Sequence, residues 1–205
     1  MKKKSDFVDL LLPSGGKKDY FTGRPVASVH DYYLSGHVES ADKYIDWFDN
    51  IRNCGENDII RIHINSYGGD LFTAIQMMRV LSETSATVVI SVEGACMSAA
   101  TMIFMCADMY EISPHSMFMF HNYSGGAFGK GGEMFEQLQH ERAWSEKLLR
   151  EVYSDFLTDK EITAMLDNKD LWMDGDEVVK RLEKKAKKVS RNRKKTEKNV
   201  EEDEE

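Results

Sequence analysis

Twice in the middle of the chain a β-branched run reaches glycine and a helical pattern begins. The first instance is "DIIRIHINSYGGDLFTAIQMMRVLSE", residues 58–83, and the second is "ATVVISVEGACMSAATMIF", residues 86–104. Alternating Ile and Val fit a strand, whereas apolar residues three and four apart fit a helix. Two such units in succession call for a parallel sheet with helices packed on it. The second is read as a strand, "ATVVISVE", then a glycine and a helix that contains Ser98.

Other segments extend the alternation. "VHDYYLSG" and "SMFMFH" read as strands, with "MYEIS" before the Pro114-His115 turn, and "DLWM" as a short strand. "ADKYIDWFDNIRNC" and "GDEVVKRLEKKAKK" read as helices, and a long helix is expected from about Glu133 to Phe156. "TDKE" at Thr158–Glu161 has the form of a capping box, in which Thr and Glu satisfy each other's backbone N–H groups. The fold class expected is α/β, with repeated strand–turn–helix units and a long protruding helix. Three regions follow: an N-terminal segment, 1–28, of loops and a short helix; a body, 29–186; and a charged, disordered tail, 187–205.

The tail stands apart by charge. Residues 180–198 hold 11 of the 27 Lys and Arg, and the chain ends in "EEDEE". That leaves 16 basic against 28 acidic residues in 1–179, which disfavours nucleic-acid binding across the body. The longest apolar run, 94–107, is shorter than the roughly 20 residues of a bilayer span. In "MKKKSDFVDLLL", Asp6 and Asp9 interrupt what would be a signal-peptide core. Three cysteines, Cys54, Cys96 and Cys106, have neither disulfide nor zinc-finger spacing. The expectation is a soluble, cytoplasmic protein with free thiols, no membrane partner, and no metal or cofactor.

The chemistry centres on Ser98. A helix N-terminus presents unpaired N–H groups and the positive end of the helix dipole, and two set side by side suit a developing oxyanion. A serine there attacks only if a base takes its proton. The candidate bases are His30, His37, His63, His115, His121 and His140; His121 ends an apolar strand before the glycine-rich "NYSGGAFGKGG". Competing motifs fail. "SGGAFGKGG" breaks the phosphate-loop pattern at both ends, and neither G-x-S-x-G nor H-E-x-x-H occurs. Cys96 reads as a small core residue.

"INSYGGD", "GACMSAA", "MFMFHNYSGGAFGKGGE" and "DLWMDGDEV" together resemble, in order and spacing, the landmark blocks of the proteolytic subunit of Clp protease, over about residues 29–182. The resemblance implies the Clp protease/crotonase-like fold and a serine endopeptidase whose catalytic residues are Ser98, His121 and Asp170. It implies backbone N–H groups of Gly69 and Ala99 as oxyanion donors. It further implies protein or peptide substrates, a homo-oligomer of stacked seven-membered rings interlocked by the long helix, and a separate AAA+ unfoldase. Gly125 and Gly126 are expected to pair with an extended substrate. Asp167, one turn before Asp170, is an alternative orienting acid, with a helix-end role favoured for it. Tyr67 in "SYGG", Met97 and Ala99 beside the serine, and "HNY" depart from the family pattern and suggest a divergent, phage-type branch. Two other readings of the same fold are a crotonase-type acyl-thioester enzyme and an assembly or scaffold-processing component.

Overall fold

The computed structural model describes residues 27–187. The expected short helix in the N-terminal segment and nearly all of the charged tail lie outside the described residues.

Strand β1 (Val29–Val38) leads through a 3-10 turn (Ala41–Tyr44) into helix α1 (Ile45–Asn53). Next come β2 (Ile59–Gly69), α2 (Leu71–Glu83), β3 (Thr87–Met97) and the short α3 (Ala99–Phe104). β4 (Met109–Ile112), β5 (Met117–Phe120), α4 (Gly131–Tyr153), α5 (Asp159–Leu166) and β6 (Leu171–Asp174) follow, and a last helix, α6, covers 175–187. The sheet runs β1-β2-β3-β5-β6, with β4 also on β3. Every pairing is parallel except β5 with β6. The α/β expectation is met, and the chain has the fold of the Clp protease/crotonase-like group. No helix among the described residues is long and apolar enough to cross a membrane.

Strand β2 shows why the sheet forms. Ile60, Ile62 and Ile64 point alternately into the core, fully buried, while Arg61 and His63 face outward. Helix α2 covers that core with Ala74, Met77, Val80 and Leu81, and the Asp70 carboxylate caps it by accepting from the Thr73 N–H at 2.6 Å. Such a cap contributes about 1 kcal/mol.

One irregularity positions the site. Pairing of β2 with β3 steps from Ile64↔Val92 to Ser66↔Cys96, so β3 carries extra residues between them. Asn65 fills the gap: its Oδ1 accepts from the Ala95 N–H at 3.0 Å. A Cβ at Gly94 would sit 2.6 Å from that same oxygen, so a side chain there would displace the Asn65 amide. Beyond the bulge β3 leaves β4 and pairs with β5.

Two boundaries differ from the sequence reading. Ala95–Met97 continue strand β3 instead of starting a helix, and Ser98 precedes α3 instead of lying inside it. Ala, Cys and Met suit either state, and the ladder to β5 decides. The long helix begins at Gly131, two residues early, and ends at Tyr153, where Phe156 and Leu157 N–H groups turn back onto the Tyr153 carbonyl. Its buried residues, Ser145, Leu149 and Tyr153, all lie in its C-terminal part, so its first half projects from the body. In "SMFMF" the phenylalanines fill the core, but Met117 is half-exposed.

Candidate active site

Ser98 occupies the junction between β3 and α3 with φ 54° and ψ −129°. A side chain at positive φ costs about 1–3 kcal/mol and persists only where the surroundings enforce it. Here they do. The Ser98 N–H donates to the Met119 carbonyl at 2.8 Å, extending the ladder one residue past β3. The Ser98 carbonyl accepts from both the Thr101 N–H, at 2.9 Å, and the Thr101 hydroxyl, at 2.6 Å. Thr101 in turn is 2.7 Å from the Tyr153 hydroxyl, a buried group at the end of α4. Burial pushes the Tyr153 phenol well up, so it stays neutral.

Gly68 closes the other side. Its φ is 87°, and a Cβ there would lie 2.5 Å from Ser98 Cβ and 2.7 Å from the Met97 carbonyl. The Gly68 N–H donates to Ser66 Oγ at 3.2 Å, and Ser66 Oγ donates to the Gly36 carbonyl at 2.8 Å. Gly69 is equally constrained, since a Cβ would collide with the Val38 backbone. Gly68 thus lets β2 approach where β3 turns into α3, and Gly69 lets it approach the end of β1.

His121 follows β5 directly. Its Nε2 and Ser98 Oγ are hydrogen bonded at 2.7 Å, both residues half-buried. With the ring proton on Nδ1, the serine hydroxyl donates to Nε2, the geometry a general base requires. Asp170 stands immediately before β6. The last β5–β6 pair is Phe120↔Leu171, so the antiparallel register continued by one step sets Asp170 opposite His121. Among the described residues no hydrogen bond joins them, and the Asp170 side chain is exposed. Asp167 follows the last residue of α5 as its C-cap, the helix-end place expected of it. Burial pushes the Cys96 thiol far up, leaving it inert.

Ser98 and His121 open onto a pocket of about 280 Å³. Met102, Leu148, Leu149 and Tyr153 give it an apolar wall; Gly68, Gly69 and Ala99 lie at its lip. Residues 121–130 form no strand or helix, and Gly125 and Gly126 lie there beside a second hollow of about 550 Å³.

A family model described as Clp protease matches residues 38–181, spanning every element from the end of β1 into α6. The chain belongs to the Clp protease family. No curated protein matches it. Membership makes this a Clp-type peptidase domain, and the family's match covers Ser98, His121 and Asp170 alike.

Sequence reasoning missed three contributors: Gly68, which packs against the serine; Thr101, whose N–H and hydroxyl donate to the serine carbonyl; and Tyr153, which holds the Thr101 hydroxyl. His37, one of the six candidate bases, lines the pocket from the end of β1. Thr101 had a local signal, a hydroxyl three residues into a helix start. Tyr153 had none, being 52 residues away from Thr101 in sequence.

Proposed function

We propose that this Clp protease family member is a serine endopeptidase with Ser98 as nucleophile and His121 as base. The 2.7 Å hydrogen bond between Ser98 Oγ and His121 Nε2 carries the reading. As Oγ attacks the peptide carbonyl, its proton passes to Nε2 and the carbonyl oxygen becomes an oxyanion. The C–N bond then breaks, and the Nε2 proton leaves with the amine. Water, deprotonated by the same nitrogen, releases the acyl group and regenerates Ser98.

The backbone N–H groups of Gly69 and Ala99 steady the oxyanion, helped by the start of α3. Asp170 orients His121: facing residues of an antiparallel pair project to the same side, within reach of a carboxylate rotation. The apolar pocket accepts a hydrophobic side chain next to the cleaved bond, and Gly125–Gly126 pair with the substrate backbone. The working form is a homo-oligomer of stacked heptameric rings joined through the projecting half of α4. A separate AAA+ unfoldase supplies folded substrates in the cytoplasm.

A fluorophosphonate probe tests the reaction class. Labelling confined to Ser98, and lost in Ser98→Ala, is expected. A folded protein that takes no label overturns the serine mechanism.

A further inference from the structure

The opposite end of the sheet from the pocket holds a second cluster. Here β1 and β2 begin and α1 ends. His30, Cys54 and Asp58 come from three separate positions, and one potential ligand atom of each lies within 4.8 Å of the others. Among the described residues this is the one such trio. Its spacing in sequence matches no metal motif, which is why sequence reading expected none; the parallel pairing of β1 with β2 assembles it.

Each side chain is already held near the common point. The Cys54 thiol donates to the Asn50 carbonyl at 3.3 Å. Asp58 Oδ1 accepts from the Ser28 N–H and Oδ2 from the Gly55 N–H, both at 2.8 Å. Those bonds fix the carboxylate and leave each oxygen a further lone pair. His30 Nδ1 is 3.4 Å from the Asn50 amide nitrogen.

The neighbouring Tyr32 is only 7% exposed, and its hydroxyl has no hydrogen-bond partner. It lies within electrostatic reach of the Cys54 thiol and beside the Asn50 side chain. A buried, unpartnered hydroxyl costs about 1–3 kcal/mol and calls for an absent partner.

We propose that His30, Cys54 and Asp58 bind a zinc ion, with a water in the fourth position that accepts a hydrogen bond from the Tyr32 hydroxyl. One imidazole, one thiolate and one carboxylate form a borderline donor set that suits Zn²⁺ over Mg²⁺ or Ca²⁺. Bond lengths of about 2.0–2.3 Å require the three ligand atoms to close by about 1 Å from their present spacing. Rotation of the His30 and Cys54 side chains towards the Asp58 carboxylate, which its two backbone bonds hold in place, supplies that closure. As the Zn–S bond forms, the thiol proton leaves to solvent. Because binding releases that proton, it strengthens as pH rises. The ion ties the start of β1 to the α1–β2 loop. Its role is to stabilise this end of the sheet, away from Ser98.

Cobalt titration of the metal-stripped full-length protein tests the site. One Co²⁺ per chain is expected, with a thiolate-to-cobalt charge-transfer band that added Zn²⁺ abolishes. Cys54→Ser removes the band and Cys106→Ser keeps it. His30→Ala weakens Zn²⁺ binding at least tenfold and removes the zinc-dependent rise in melting temperature that the parent shows. Should Cys54→Ser fail to fold, His30→Ala decides. Absence of the band from the folded parent, its survival in Cys54→Ser, or unchanged affinity in His30→Ala overturns the proposal.

Discussion

Ser98 Oγ and His121 Nε2 lie 2.7 Å apart across 23 residues of chain. The bulge at Asn65–Gly94 brings them together, because it moves the end of β3 from β4 onto β5. Each side chain then projects from the C-terminal edge of adjacent parallel strands. The contact is a product of sheet register, not of local sequence.

Replacing Ser98 by Ala should therefore remove peptide cleavage and leave the fold. Alanine keeps the strained φ and all the backbone bonds, so stability should change by less than about 1 kcal/mol. Cleavage of an unstructured fluorogenic peptide, together with a denaturation curve, checks both parts. Residual turnover near the parent rate eliminates Ser98 as nucleophile.

Gly68→Ala should be far more damaging than its one carbon suggests. The new Cβ would lie 2.5 Å from Ser98 Cβ at a backbone φ of 87°. Relief requires β2 and the nucleophile to separate. A loss of at least 100-fold in kcat/KM is expected, since displacement by about 1 Å commonly costs that much. A stability loss of about 1–3 kcal/mol should accompany it. Circular dichroism and steady-state kinetics on the same preparation are the measurements.

Strands and capping signals were legible because their causes are local. Ile60, Ile62 and Ile64 alternate, and Thr158 and Glu161 form the expected reciprocal bonds. The Ser98–Ala99 boundary was not legible, since "GACMSAA" satisfies helix and strand equally until β5 supplies a ladder. The pairing of Ser98 with His121 could be anticipated only through the family resemblance, as six histidines were otherwise open. The His30–Cys54–Asp58 cluster had no linear trace, because it exists only where β1 lies against β2.

Thr101→Val should slow turnover without weakening substrate binding. The hydroxyl bridges the Tyr153 hydroxyl and the Ser98 carbonyl, and Thr101 does not itself line the pocket. Valine keeps the shape and leaves the Tyr153 hydroxyl unpaired, costing about 1–3 kcal/mol of stability. Kinetics should show a fall in kcat with KM within about twofold of the parent. A change confined to KM contradicts the positioning role.

Acid sensitivity should trace in part to Glu161. Arg181 grips its carboxylate with Nη1 and Nη2, at 3.0 and 2.8 Å, joining α6 to α5. That pair, aided by Thr158 and opposed by burial, lowers the Glu161 carboxyl to about 2. A depressed carboxyl contributes stability above its unfolded value, about 4.5, and loses it as pH falls towards 2. Glu161→Gln should be less stable than the parent by about 1–2 kcal/mol at neutral pH. The difference should shrink below about pH 4.5. Melting curves at several pH values report it, and a gap that stays constant into strong acid refutes the linkage.

Gly126→Val isolates the substrate-binding segment from the fold. A Cβ at Gly126 meets nothing within 4 Å, so the variant should fold and melt like the parent. The segment borders the hollow walled by Phe72, His140 and Trp144, where Phe72 and Trp144 stack at 5.8 Å. An extended peptide pairing there would meet the β-branched side chain instead of open backbone. Cleavage of long peptides should drop at least tenfold, mainly through KM, while labelling by a small fluorophosphonate proceeds at the parent rate. Slowed labelling would place the defect at Ser98 itself. Unchanged cleavage of long peptides would mean that substrate does not add to this segment, since the valine stands where its backbone would approach.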